Sequence, residues 1–98
     1  MAVDIEFPDA DWPDWERYWK SKGFFTALVR ATDGKRFNLL FYEPQRLHTD
    51  LGNFLTTTGK SYFADPGLVA IPEISRDVML RAADELERDG YFEALKPV

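Results

Sequence analysis

Cysteine is absent from the chain, which excludes disulfide staples, thiol catalysis and any thiolate-held zinc or iron–sulfur centre. Histidine occurs once, at position 48. A metal site with two imidazole ligands is therefore excluded, and an imidazole base would rest on that residue alone. No stretch approaches the roughly 18 apolar residues of a membrane span. Residues 1–12 have neither the basic flank nor the apolar run of a secretory leader, so the expected address is the cytoplasm. Repeats, low-complexity tracts and linkers are missing as well, and one domain over residues 1–98 is expected.

Basic residues are in short supply. Twelve Lys and Arg stand against 17 Asp and Glu, giving a net charge of −5, which repels phosphate backbones and anionic lipid, so neither nucleic acid nor membrane is an expected partner. The imbalance is local. Asp4, Glu6, Asp9, Asp11, Asp14 and Glu16 crowd residues 1–16 without a base, residues 17–48 are basic, and residues 49–98 are acidic again. Apolar surface, by contrast, is plentiful: 45% of the residues are hydrophobic, with eight Phe, four Tyr and three Trp, enough to offset the ordering entropy of a folded chain.

The spacing of those residues predicts an α+β fold. Residues 3–7 alternate apolar and acidic side chains up to Pro8, the period of an edge strand with one wet face. Trp15, Tyr18 and Trp19 stand at helical spacing within a helix expected over about 12–22, with Asp11 as its cap, Pro13 in its first turn and Gly23 as its stop. Residues 24–31 and 36–43 read as strands joined through Asp33-Gly34, which as a two-residue type I′ turn would pair Phe25 with Tyr42, Ala27 with Leu40 and Val29 with Asn38.

That register makes both faces of the hairpin apolar, so both need a cover. After Pro44, the Leu47, Leu51, Phe54 and Leu55 stripe predicts a helix over 45–57 ending at Gly59. Residues 61–64 and 68–71 read as short strands around the Asp65-Pro66-Gly67 turn. A final helix over 75–89 begins at Ser75, with Ile74 and Met79 in staple positions. The fold expected is a two-layer arrangement: an antiparallel sheet centred on a 24–43 β-hairpin, with the 45–57 and 75–89 helices on one face and the Trp segment across the end or the other face.

Chemical motifs are weak. Gly59-Lys60-Ser61 matches the end of a phosphate loop, but position 54 is Phe54 where the first glycine belongs, Gly52 is out of register, and a helix precedes where a strand is required. Asp9, Asp11 and Asp14 lack the glycine and terminal glutamate of a calcium loop and suit helix capping and solubility better. No cofactor and no metal is expected. Asp50, two residues from His48, does not share its helix face.

The group with the strongest binding character is Asp9, Asp11, Trp12, Asp14, Trp15 and Trp19: large amphipathic rings beside an acidic run suit an interface anchor with a charged rim. A covering role for Trp15 and Trp19 on the sheet is the structural alternative; Trp12 lies outside their stripe. The expectation is a small acidic protein-binding module, a regulator or inhibitor of a basic partner. Two alternatives are a homodimeric scaffold domain that buries the second sheet face, and a small enzyme or ligand-binding domain using carboxylates near His48.

Overall fold

The protein is described by a computed structural model covering residues 3–98. Its elements run β1 (Asp4–Glu6), α1 (Trp15–Lys22), β2 (Phe24–Arg30), β3 (Arg36–Tyr42), α2 (Pro44–Thr58), β4 (Leu68–Ala70), α3 (Arg76–Arg88) and a closing 3-10 turn, Tyr91–Ala94. One four-stranded sheet has the order β1-β2-β3-β4. The α+β arrangement and the central hairpin are as the sequence predicts.

The register of that hairpin differs. Phe25 pairs with Phe41, Ala27 with Leu39 and Val29 with Phe37, one residue away from the expected pairing. A type I′ turn needs positive φ at both central residues, and here only Gly34 of the two has it, at 89°. Gly34 N–H donates to Ala31 O at 3.0 Å and Ala31 N–H to Lys35 O at 2.8 Å, the closure of a longer loop whose last residue sits in the left-handed region.

One residue of slip turns every side chain of a strand over. Phe25, Ala27, Val29, Phe37, Leu39 and Phe41 therefore share a single buried face. The other face receives Thr26, Arg30, Arg36 and Asn38, all exposed, among half-buried Phe24, Leu28, Leu40 and Tyr42. The hairpin has one fully apolar face, and the second is mixed.

Ile5 of β1 extends this inner face through its pairing with Val29, and the face is covered by Trp15, Ile71, Ile74, Met79, Ala83 and Phe92, with Phe92 stacked on Phe37 at 4.9 Å. Helices α1 and α3 and the closing turn thus lie together on this side. No residue of α2 belongs to that core, which corrects the expectation that the 45–57 and 75–89 helices share a face. The physical reason is the register: Tyr42 and Phe24 point to the outer face, and it is there that α2 meets the sheet, through a Tyr42 hydroxyl bond to Asp50 at 2.7 Å and Arg46 over the Phe24 ring at 4.9 Å.

Strand β4 pairs with β3 in parallel, Leu40 with Leu68 and Tyr42 with Ala70, so the sheet is mixed and α2 is the crossover such a connection needs. Residues 61–64, expected as a strand, form none; a four-residue apolar run without a neighbouring ladder has nothing to hold it extended. Gly67 N–H bonds Asp65 Oδ1 at 2.9 Å, and a side chain at Gly67 would stand 2.5 Å from Asn38 O, so only glycine lets the turn press against β3.

The helix ends follow local chemistry. Glu43 caps α2 by accepting from Gln45 and Arg46 amides, with Pro44 in the first turn, and Gly59 closes it at φ 70°. Ser75 accepts from Val78 N–H at 3.3 Å at the start of α3, and Ile74 and Met79 are fully buried as a staple requires. Helix α1 departs from expectation: it starts at Trp15 behind Asp14, whose side chain makes no cap bond and pairs with Arg17 instead. Asp11 and Pro13 lie in the preceding turns.

Candidate functional site

Residues 8–19 reach the inner side of the sheet as two tight turns and a helix. Trp12 N–H bonds Asp9 O and Trp15 N–H bonds Trp12 O, each at 3.0 Å, and Asp9 adopts a left-handed φ of 59°, a region Asp tolerates better than most residues. Trp15 anchors the segment. It is 2% exposed, its Nε1–H donates to Pro8 O at 2.8 Å, and its ring meets Phe7 and Phe25 edge-on at 5.4 Å each.

Arg76, at the first position of α3, locks this arrangement from the far side. Its amide donates to Glu16 Oε1 at 2.8 Å, its guanidinium to Ala10 O at 3.2 Å, and the same group lies over the Trp15 ring at 5.5 Å. The carboxylate of α1 thus satisfies an N-terminal amide of α3 that has no partner within its own helix.

On this floor stands an open cleft of about 380 Å³, lined by Pro8, Asp9, Trp12, Trp15, Tyr18, Trp19 and Phe25. Its exposed walls are Trp12 and Tyr18, 44% and 40% exposed, with ring centroids 5.5 Å apart; Trp19 stands edge-on to Tyr18 at 5.1 Å. Among the acids singled out in the sequence, Asp14 is held by Arg17, while neither Asp9 nor Asp11 makes an ion pair with another described residue. Asp9 lines the cleft beside the exposed rings, and Asp11 directly precedes Trp12 in the chain. Tyr18 joins the site through its i, i+3 spacing from Trp15, a relation visible in the sequence.

The arrangement suits cations. Aromatic faces carry negative quadrupole density, and a guanidinium or ammonium group resting on them gains roughly 0.5–2 kcal/mol depending on desolvation. Such contacts already occur on this surface: Lys22 Nζ lies 5.3 Å from the Tyr18 centroid.

A second cleft, of about 220 Å³, lies on the other side of the sheet between α2 and the loop that follows, lined by Tyr42, Leu47, Asp50, Leu51, Phe54 and Phe63. Its charged element is the Tyr42–Asp50–Arg46 cluster, in which Asp50 also accepts from Arg46 Nε at 2.9 Å. The Tyr42 hydrogen bond, aided by Arg46 and opposed by partial burial, holds the Asp50 carboxyl below its ordinary range; burial first, then Asp50 itself, pushes the Tyr42 phenol up.

His48 is exposed on α2 and does not line this cleft, and the carboxylate nearest it in sequence, Asp50, is engaged by Tyr42 and Arg46. Among the described residues no group of three or more His, Asp or Glu side chains is gathered to hold a metal ion, and no helix is long and apolar enough to cross a membrane. Gly59-Lys60-Ser61 follows the end of α2 and opens no helix. Comparison with protein-family models, with curated proteins and with solved structures returned no match.

Proposed function

We propose that the protein is an acidic protein-binding module that takes a cationic side chain of a basic partner into the Trp12–Tyr18 cleft. One observation carries this reading: two rings that are more than a third exposed stand over the buried Trp15 and beside Asp9, which makes no ion pair with another described residue. Leaving such rings in water forgoes about 25 cal/mol for each Å² of apolar surface, whereas a basic segment would cover them and neutralise the Asp9 carboxylate. The surface is small and its floor is fixed by Arg76 and Trp15, so little ordering entropy opposes docking. A module of this kind acts by occupying the basic site of its partner, as a regulator or inhibitor.

The test uses defined peptides. Titrating the full chain with an arginine-containing basic peptide, and with an acidic peptide of matched length, should give a saturable change in tryptophan fluorescence for the basic peptide alone. The response should weaken as salt rises and be lost in Trp12→Ala and in the double variant Asp9→Asn, Asp11→Asn. An equal response to both peptides, or an unchanged response in these variants, refutes the cleft as the binding surface.

A further inference from the structure

The cleft on the inner side is built almost entirely of rings. Trp12, Trp15, Tyr18, Trp19 and Phe25 line it, with Pro8 and one carboxylate, that of Asp9. Trp19 stands at 90° to Tyr18 and Trp12 at 54°, with centroids 5.1 and 5.5 Å from that ring, and Trp15 is inclined to Trp19 by 55°. Steeply inclined rings turn π-faces in several directions about one space, where stacked rings would offer one.

Hydrogen-bond acceptors are scarce in the same lining. The Asp9 carboxylate and the Tyr18 phenol oxygen are the only side-chain acceptors among its residues. The backbone oxygens of the segment are engaged: Pro8 O accepts from Trp15 Nε1–H, Asp9 O from Trp12 N–H, Trp12 O from Trp15 N–H, Tyr18 O from the Ser21 hydroxyl and Trp19 O from Gly23 N–H.

That balance separates one cation from another. A guanidinium brings five N–H donors and an ammonium three, and each donor drawn from water without an acceptor costs free energy. Such a head group enters only as far as its donors stay wet. A trimethylammonium group carries the same charge and no donor. Its methyl groups can settle fully against the rings, gaining apolar burial and cation–π attraction together, with the Asp9 carboxylate in the same cleft to balance the charge.

We infer that the cleft reads a quaternary ammonium group, carried as a trimethylated lysine on the basic partner. The inference rests on the cleft being the binding surface, as proposed above, and names the form of cation it selects. Lys22, whose Nζ lies 5.3 Å from the Tyr18 centroid, is not among the residues lining the cleft, so the chain's own cation leaves it free. The cleft is open, so a small free amine would keep one side in water. A lysine within a peptide adds the contacts of its basic neighbours to an opening segment that carries acids and no base across residues 1–16.

Fluorescence titration of the full chain with one basic peptide in four forms tests this: its central lysine unmodified, trimethylated, acetylated, or replaced by the uncharged carbon isostere that ends in a tert-butyl group. The trimethylated form should bind about tenfold tighter than the unmodified one, and the acetylated form and the isostere should both lose that gain. Trp12→Leu and Tyr18→Leu should each remove the preference, with an unchanged far-ultraviolet circular dichroism spectrum. Equal affinity for the trimethylated and unmodified forms overturns the inference and leaves the cleft a general cation site. An isostere as tight as the trimethylated form overturns it too, since burial without charge would then suffice, as does a preference that survives in both folded variants. Choline that binds as tightly as the trimethylated peptide assigns the site to free amines and overturns the peptide source. Failure of every form to bind overturns the cleft reading itself.

Discussion

Trp15 has a structural task that Trp12 and Trp19 do not share. It closes the inner face and holds the cleft segment by its bond to Pro8 O, so replacing it removes volume and leaves a carbonyl without its donor. Trp15→Phe should cost about 2–4 kcal/mol, read as a lower urea midpoint at unchanged m-value, while Trp12→Phe should stay within about 0.5 kcal/mol.

Tyr42 and Asp50 make a second prediction at this scale. The Asp50 carboxyl is depressed in the folded state, so its contribution is present above the unfolded value of 3.8 and fades as pH falls through the lower folded value. The Tyr42 phenol is raised; its contribution is present below the unfolded value of 10.0 and fades as pH rises through the higher folded value. Tyr42→Phe should move the Asp50 titration upward, followed by carboxyl-carbon NMR, and should remove one of the late-ionising phenols, of which Tyr91 is another, from the alkaline absorbance titration. An Asp50 titration that stays where it was would place the cause in Arg46 alone.

Among the elements, α2 is the one whose own sequence opposes it. Gly52 lies mid-helix, and a β-carbon added there would have no heavy atom within 4 Å beyond its chain neighbours and the helix's own backbone. Gly52→Ala should therefore stabilise by about 0.5–1 kcal/mol, raising Tm. Gly23→Ala should do the reverse, because φ is 78° and the added carbon would stand 2.7 Å from Arg46 Cβ. Opposite signs from one chemical change would separate the open flank of α2 at Gly52 from its close seat on Gly23 at the end of α1.

The elements also show what was legible in the sequence. Helices α2 and α3 were, because a stripe bounded by Pro44 and Gly59, or opened by Ser75, leaves one reading. The hairpin was legible as a hairpin, and its register was not. Asp33-Gly34 serves both the two-residue turn and the longer loop, and only the packing of Phe37, Leu39 and Phe41 on the same face as Phe25 decides between them. Strand β4 found its place beside β3 through a crossover, a non-local pairing that residues 68–70 do not announce. Of the candidate site, the exposure of Trp12 followed from its position outside the helical stripe, and the burial of Trp15 from its place within it. The involvement of Arg76, 60 residues from Glu16, had no sequence signal.

At the scale of the whole molecule, charge and grease are sorted. Acidic residues gather in the opening segment and along the chain from Glu73 to Glu93, while the outer sheet and α2 are close to neutral.

The reach of Arg76 across to Glu16 and Ala10 bears on the order in which the molecule is made. Synthesis delivers the Trp12 turn early and the hairpin soon after, but the clamp beneath that turn waits until residue 76 leaves the ribosome. In a nascent chain the Trp12 turn therefore stays without its Arg76 contacts until the start of α3 has emerged.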